Sequence, residues 1–206
     1  MIARLNTALR RVPVWLVWIV ALAPGLWVFW RGLNGALGAD PVRTLELALG
    51  EKGLQLLILS LMVTPLRRLA GLNLLRLRRA FGLLAFTYIA AHLAAWLFLD
   101  MAGLWDQALR DIAKRPFITI GMTAFVLMLP LALTSNTASI RCLGARWRAL
   151  HRLAYAAALL GGMHFVLIGK TLSARPLIYL ALIVLLLALR LPAPGLFRAG
   201  AAKSLR

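Results

Sequence analysis

The sequence predicts an all-α, polytopic membrane protein: a bundle of six transmembrane helices with both termini in the cytoplasm. Three observations predict it. Of the 206 residues, 62% are hydrophobic and the mean hydropathy is +0.85, above the roughly half-apolar composition of a soluble domain. Six apolar runs approach the ~20 residues that a helix needs to cross a bilayer. The basic residues gather in alternate loops. That is a pattern of membrane topology rather than of nucleic-acid binding, although the net charge is +18.

The first run, at 13–30, follows Arg4, Arg10 and Arg11. A basic start of this kind resembles a signal peptide. The stretch from Val12 to Trp30 is too long for an h-region, however, and Arg31 follows at once, so it is expected to be a membrane span. The second run, at 47–65, is interrupted by Glu51 and Lys52. Its strictly apolar part begins near Leu54, which places the polar pair near the interface. The remaining runs fall at 81–99, 117–134, 149–169 and 174–191. Pro65 and Pro130 lie in or at the ends of spans, where they predict a kink or a stop. There is no internal repeat, low-complexity stretch or separate soluble segment, so 1–206 reads as one domain. The single cysteine, Cys142, excludes an intramolecular disulfide and a Cys-based metal or iron–sulfur site.

Charge sets the orientation. The N-terminal stretch carries Arg4, Arg10 and Arg11, and the loop after span two carries Arg67, Arg68, Arg76, Arg78 and Arg79. Arg141, Arg146, Arg148 and Arg152 lie around the start of span five, and Arg190, Arg198, Lys203 and Arg206 lie in the tail. None of these stretches contains an Asp or Glu. All six acids, Asp40, Glu46, Glu51, Asp100, Asp106 and Asp111, fall on the opposite side. The positive-inside rule then puts the arginine-rich side in the cytoplasm and, for a bacterial inner membrane, the acidic side in the periplasm.

The three histidines, His92, His151 and His164, all fall on predicted spans. Ionisable side chains are costly in a bilayer and mark functional sites there. Imidazole is also a common axial ligand of haem iron. His92 lies roughly 16 Å into span three, and His164 roughly 20 Å beyond His151 along span five, at 1.5 Å per residue. His92 and His164 therefore match in depth, while His151 sits near the cytoplasmic face. Ala90, Ala91, Ala94 and Ala95 around His92, and Gly161 and Gly162 before His164, offer space for close approach of a helix or a flat cofactor. A b-type haem between His92 and His164 is the expected arrangement; the alternative for the set is three buried histidines hydrogen-bonded to neighbouring helices.

A histidine partner for His151 would lie about four turns before His92, where the chain has Arg78 and Arg79. His151 is left with four readings: one ligand of a second haem, a neighbour of a haem propionate, part of a quinone or flavin site, or an interfacial histidine reached by water. Zinc would want a fourth ligand that no carboxylate or thiol supplies at this depth. A proton-coupled transporter would want a mid-membrane Asp or Glu, and there is none.

Other polar features carry less. Arg78, Arg79, Arg148 and Arg152 suit propionates or a flavin phosphate, or else topology and anionic lipid. Trp105 and Trp147 suit an interfacial aromatic belt. Tyr155, one turn after His151, is placed to bond it or pack on it. No Gly-rich nucleotide fingerprint and no hydrolytic constellation occurs, so no NAD(P)H-binding domain and no catalytic residues are assigned.

Several segments in order carry a resemblance over nearly the whole chain. They are Leu37-Gly38-Ala39-Asp40-Pro41-Val42, Thr64-Pro65-Leu66, Arg78-Arg79 leading into His92, and Arg115-Pro116-Phe117-Ile118-Thr119-Ile120-Gly121. Thr134-Ser135, Leu143 to His151, His164, Pro176-Leu177-Ile178-Tyr179 and Leu185 to Arg190 follow. The chain resembles the MsrQ (YedZ) family, haem-binding membrane subunits of bacterial periplasmic protein-methionine-sulfoxide reductase systems, within the ferric reductase-like transmembrane group. The resemblance implies b-type haem, one or two, with ligands at His92, His164 and His151. It also implies FMN, for which no local motif is found. Electrons are expected from the quinone pool or a cytoplasmic flavin reductase, and are expected to go to a periplasmic molybdopterin catalytic subunit (MsrP-like). Reduction of the final substrate is then expected in that partner. The wider group often carries four histidines for two haems, and this chain has three. The alternatives are a stand-alone ferric reductase-like or cytochrome b-type quinol oxidoreductase, and a cofactor-free transporter or assembly factor.

Overall fold

The computed structural model of the protein describes residues 2–169 and 171–190. Among them every regular element is helical. The tail cations Arg198, Lys203 and Arg206, and the last residue of the sixth predicted span, lie outside the described residues.

Five helices are long and apolar enough to cross a membrane, which makes this a multi-pass membrane protein. They are α2 (Val14–Leu33), α3 (Pro41–Ala70), α4 (Arg78–Ala95, continued by a π turn at Trp96–Asp100), α6 (Pro116–Leu133), and the pair α8 (Ala145–Leu150) and α9 (Leu153–Leu167), which run on through a turn at His151. The sixth predicted span is α10 (Ala174–Ala188), an apolar helix of 15 residues. At 1.5 Å per residue it is roughly 22 Å long, short of a ~30 Å hydrocarbon core.

Three further helices escaped the hydropathy pattern because they are short: the amphipathic α1 (Ile2–Arg11) and α5 (Trp105–Lys114), and the seven-residue α7 (Thr137–Leu143). The α1 helix is tied to the loop after α3. Asn6 Nδ2 donates to the Gly71 carbonyl at 2.9 Å, and Asn6 Oδ1 accepts from the Asn73 N–H at 2.9 Å. These ties put the N-terminal arginines and the Arg67–Arg79 stretch at one end of the bundle.

Helix α3 is the central post, packing most extensively on α4, while α6 packs on α9. The core holds Leu61 and Val63 of α3, Leu84 of α4 and Ile183 of α10, all fully buried. By contrast α2 buries no residue; Trp15, Trp27, Phe29 and Trp30 are exposed, as suits a lipid-facing surface. The 30 residues of α3 span roughly 45 Å, more than the bilayer core, so its first turns reach the interface. That length takes Glu51 and Lys52 into the helix, ten and eleven residues from its start.

The prolines do not end their helices. Pro65 lies inside α3, which runs on to a left-handed Gly71 cap at φ 68°. Pro65 has no N–H for the Leu61 carbonyl one turn back; Arg190 Nη2 donates to that carbonyl instead. Near Pro24 in α2, the Tyr88 hydroxyl of α4 takes part in the helix ladder. It accepts from the Gly25 N–H at 2.9 Å and donates to the Ala21 carbonyl at 2.6 Å.

Candidate functional site

His92 occupies the last turn of α4 before the π turn, and His164 the last turn of α9. Their rings meet across the bundle, with centroids 6.3 Å apart and planes at 70°. Both line one cavity of about 240 Å³ between α3, α4, α6 and α9. The depth match expected from the sequence is thus a direct juxtaposition.

The two histidines are held by the same device. His92 Nδ1 lies 2.9 Å from the Glu46 carbonyl of α3, and His164 Nδ1 lies 2.7 Å from the Phe117 carbonyl of α6. A carbonyl oxygen only accepts, so Nδ1 carries the proton and Nε2 keeps its lone pair. Four residues after each carbonyl stands a glycine. A Cβ on Gly50 would lie 3.2 Å from His92 Nδ1, and one on Gly121 would lie 2.7 Å from His164 Nδ1. Each imidazole rests on bare backbone and donates to the carbonyl one turn away. The result is two oriented imidazoles, each with a free ring nitrogen, able to hold one metal centre between them.

The small residues that make this room are not all the expected ones. Gly161 and Ala157 of α9 and Ala124 of α6 line the cavity; Ala90, Ala91, Ala94 and Ala95 do not. Gly162 packs against α10, where a Cβ would fall 2.9 Å from Ile183 Cδ1. Gly50 and Gly121 carried one sequence signal, a glycine inside an apolar helix with no turn to make. Pairing each with a histidine on another helix required the fold.

The cavity walls are largely apolar, with Leu54, Leu57, Ile89, Phe125 and Met128, and its polar lining is Arg43, Glu46, Glu51, Asp100 and Arg115. Glu51 is the hub of a network joining α3 to α10. Its Oε1 accepts from Tyr179 Oη at 2.9 Å and Gln55 Nε2 at 3.2 Å, and pairs with Arg175 at 2.7 Å.

His151 stands apart and does not line this cavity. Its ring stacks on Trp147 with centroids 3.8 Å apart, Nδ1 lies 3.1 Å from the Trp147 carbonyl, and Nε2 lies 3.5 Å from Ser135 Oγ. Trp147 is therefore a packing partner, pinned by its indole N–H to the Thr134 carbonyl at 2.9 Å. Tyr155 does not bond His151; its hydroxyl accepts from Arg190. Arg78, at the position where a histidine partner was sought, is close enough to bear electrostatically on His151. Among the described residues no group of three or more His, Cys, Asp or Glu is placed to hold a metal ion.

Fold and site together define a multi-pass helical membrane protein with two oriented histidines facing each other inside the bundle. A family model described as ferric reductase like transmembrane component matches residues 49–162. That span contains Gly50, His92, Gly121 and His151 and ends two residues short of His164. A Brucella anthropi protein named protein-methionine-sulfoxide reductase heme-binding subunit MsrQ is 49% identical over 181 residues, covering 88% of this chain and 82% of its own. Proteins of the same name from Brucella ovis and Brucella suis are 45% identical over 202 residues, covering 95% of this chain and 92% of theirs. The chain belongs to the ferric reductase-like transmembrane family and, within it, to the MsrQ group. No solved structure matches it.

Proposed function

We propose that this chain is the haem-bearing electron-transfer subunit of a bacterial protein-methionine-sulfoxide reductase system, with haem b held between His92 and His164. The observation that carries the proposal is the 6.3 Å separation of the two ring centroids, with both Nδ1 atoms committed to carbonyls. One metal ion shared by two imidazole nitrogens, at about 2 Å from each, needs a spacing of about this size. The apolar walls suit a macrocycle, and Arg43 and Arg115, on the same cavity, suit its acid groups. The named relatives bind heme, which supports the same assignment.

When bound, the haem supplies one-electron chemistry, with a potential set by its axial ligands and burial. The chain's own residues do the rest. The Glu46 and Phe117 carbonyls fix the tautomer and raise the basicity of the two imidazoles. Gly50 and Gly121 let each ring sit close to a neighbouring backbone. The apolar side chains that α3, α4, α6 and α9 place on the cavity wall limit the access of water to the histidines.

The proposal places the arginine-rich end in the cytoplasm of the inner membrane and the acidic end in the periplasm. Electrons enter from the quinone pool or a cytoplasmic flavin reductase and leave to a molybdopterin MsrP-like subunit, which reduces the oxidised methionine. FMN belongs to the proposal through the family resemblance alone. His151 is the single candidate for a second haem, with a ligand other than histidine opposite it. The chain is proposed to be one domain over 1–206.

A reduced-minus-oxidised spectrum of the purified, haem-replete protein tests this. His92→Ala or His164→Ala should each remove most of the Soret and α-band signal, and His151→Ala should remove less. Absence of any haem band in the unaltered protein, or equal loss from all three variants, would overturn the assignment.

A further inference from the structure

Helix α5 sits at the end of the bundle opposite α1, between the close of α4 and the start of α6. The chain reverses there at Ala102 and Gly103, which take φ of 50° and 74°, and the Gly103 N–H donates to the Leu97 carbonyl at 2.9 Å. At the first residue of α5, the Trp105 ring meets Phe98 edge to face, with centroids 6.3 Å apart. Near its other end, the Ile112 carbonyl accepts from Thr119 Oγ1 of α6, and Asp111 pairs with Arg115 at 3.5 Å. Fastened to the end of α4 on one side and to the start of α6 on the other, α5 lies across the end of the bundle rather than prolonging either span.

The surface of α5 divides three ways around the helical turn. The helix packs on α6, and its Ala108 is buried. Asp106, Gln107, Arg110 and Lys114, on the side away from Ala108, are exposed. Between these two sides stand Trp105 and Leu109, one turn apart, large and apolar yet 60% and 65% exposed. Phe98, also exposed, carries this apolar edge onto the outer surface of α4, one turn beyond exposed Ala94. A helix with a charged face and an open apolar edge is built to lie in the plane of a membrane interface, and tryptophan concentrates at that depth. Two features favour lipid over a protein partner. The edge is continuous with the outer surface of a membrane span, so a bilayer that reaches Phe98 reaches Trp105 as well. The helix also carries two acids and two bases, so it offers no net charge to a charged partner.

We propose that α5 is an in-plane interfacial helix, with Trp105 and Leu109 inserted into the lipid leaflet at this end of the bundle and Asp106, Arg110 and Lys114 facing water. The stretch that it fastens is part of the histidine site: Arg115 and Phe117 line the cavity, and the Phe117 carbonyl holds His164. The proposal does not depend on the haem assignment and stands or falls separately.

The test uses the full-length protein alone in phosphatidylcholine bilayers, since a helix without net charge needs no anionic lipid. Leu109→Cys and Arg110→Cys, each in a Cys142→Ser background, carry a nitroxide label, and its relaxation by lipid-soluble oxygen is compared with that by a water-soluble nickel chelate. Oxygen should dominate at the Leu109 position and the chelate at the neighbouring Arg110 position. Dominance of the chelate at both would overturn the proposal and leave the apolar edge open to a protein partner. Dominance of oxygen at both would overturn it too, because the helix would then have no water-facing side. Should the Leu109→Cys protein fail to fold, tryptophan emission of the unaltered protein and of Trp105→Phe decides the matter. The emission that the substitution removes should be quenched by phosphatidylcholine brominated near the headgroup end of its acyl chains and spared by aqueous iodide. Quenching of that emission by iodide but not by the brominated lipid would overturn the proposal equally.

Discussion

The imidazole of His164 rests on the α-carbon of Gly121, so closely that a Cβ there would fall 2.7 Å from Nδ1 and 2.8 Å from Cε1. Contacts that short force the ring to move, and the ring is tied to the Phe117 carbonyl. Gly121→Ala is expected to displace His164 and cost ~1–3 kcal/mol by overpacking. The haem band should fall sharply while helix content by circular dichroism is kept. At Gly50 the same substitution would meet His92 Nδ1 at 3.2 Å, so Gly50→Ala should retain more of the band. Equal retention in both variants would contradict the packing argument.

Pro65 and Arg190 make a second, separable prediction. The proline removes the N–H that would satisfy the Leu61 carbonyl, and the arginine replaces it. Arg190→Met should leave that carbonyl, and the Tyr155 hydroxyl, without their donor. A buried unsatisfied group costs ~1–3 kcal/mol. Pro65→Ala restores a backbone N–H at the right place, so the double variant should melt closer to the unaltered protein than Arg190→Met does. Strict additivity of the two single changes would count against this linkage.

Tyr88 is expected to matter through one hydroxyl. It bridges the Gly25 N–H and the Ala21 carbonyl of α2, which buries no residue fully and otherwise leans on the core through Val17, Trp18, Leu22 and Val28. Tyr88→Phe should lower stability by about 1 kcal/mol, read as a lower melting temperature. Gly25→Ala should do more harm, because a Cβ there would lie 2.7 Å from Tyr88 Cε1.

Much of this was legible in the sequence, for identifiable reasons. The apolar runs located α2, α3, α4, α6, α9 and α10, because a bilayer demands long unbroken apolar stretches. Residue rise along two parallel spans was enough to bring His92 and His164 to one depth. The one-sided arginines anticipated that α1 and the loop after α3 share an end, as the Asn6 bonds to Gly71 and Asn73 record. Helices α1, α5 and α7 were missed because a hydropathy run does not register short segments without a long apolar stretch. The glycine seats of the histidines, the Arg190 donor for Leu61 and the Tyr88 bridge were missed for a different reason. Each joins residues more than 40 positions apart, and no local pattern encodes such a partner.

Glu51 tests whether charge or hydrogen bonding fastens α10 to the bundle. Its Oε1 serves Tyr179, Gln55 and Arg175. The ion pair is the weaker claim: the Arg175 side chain is 70% exposed, and exposed pairs contribute only ~0–1 kcal/mol. The hydroxyl of Tyr179 also receives the Gln55 amide at 2.7 Å, so it is a relay between α3 and α10 rather than a single contact. Glu51→Gln keeps an acceptor oxygen for Tyr179 and removes only the charge, and should cost less than ~1 kcal/mol. Glu51→Leu removes the acceptor, strands the Tyr179 hydroxyl and one Gln55 donor, and should cost ~1–3 kcal/mol. Melting curves at low and high salt separate the two effects: the Glu51→Gln deficit should shrink with salt and the Glu51→Leu deficit should persist. If the two variants are destabilised alike, the charge rather than the hydrogen-bond relay holds α10 in place.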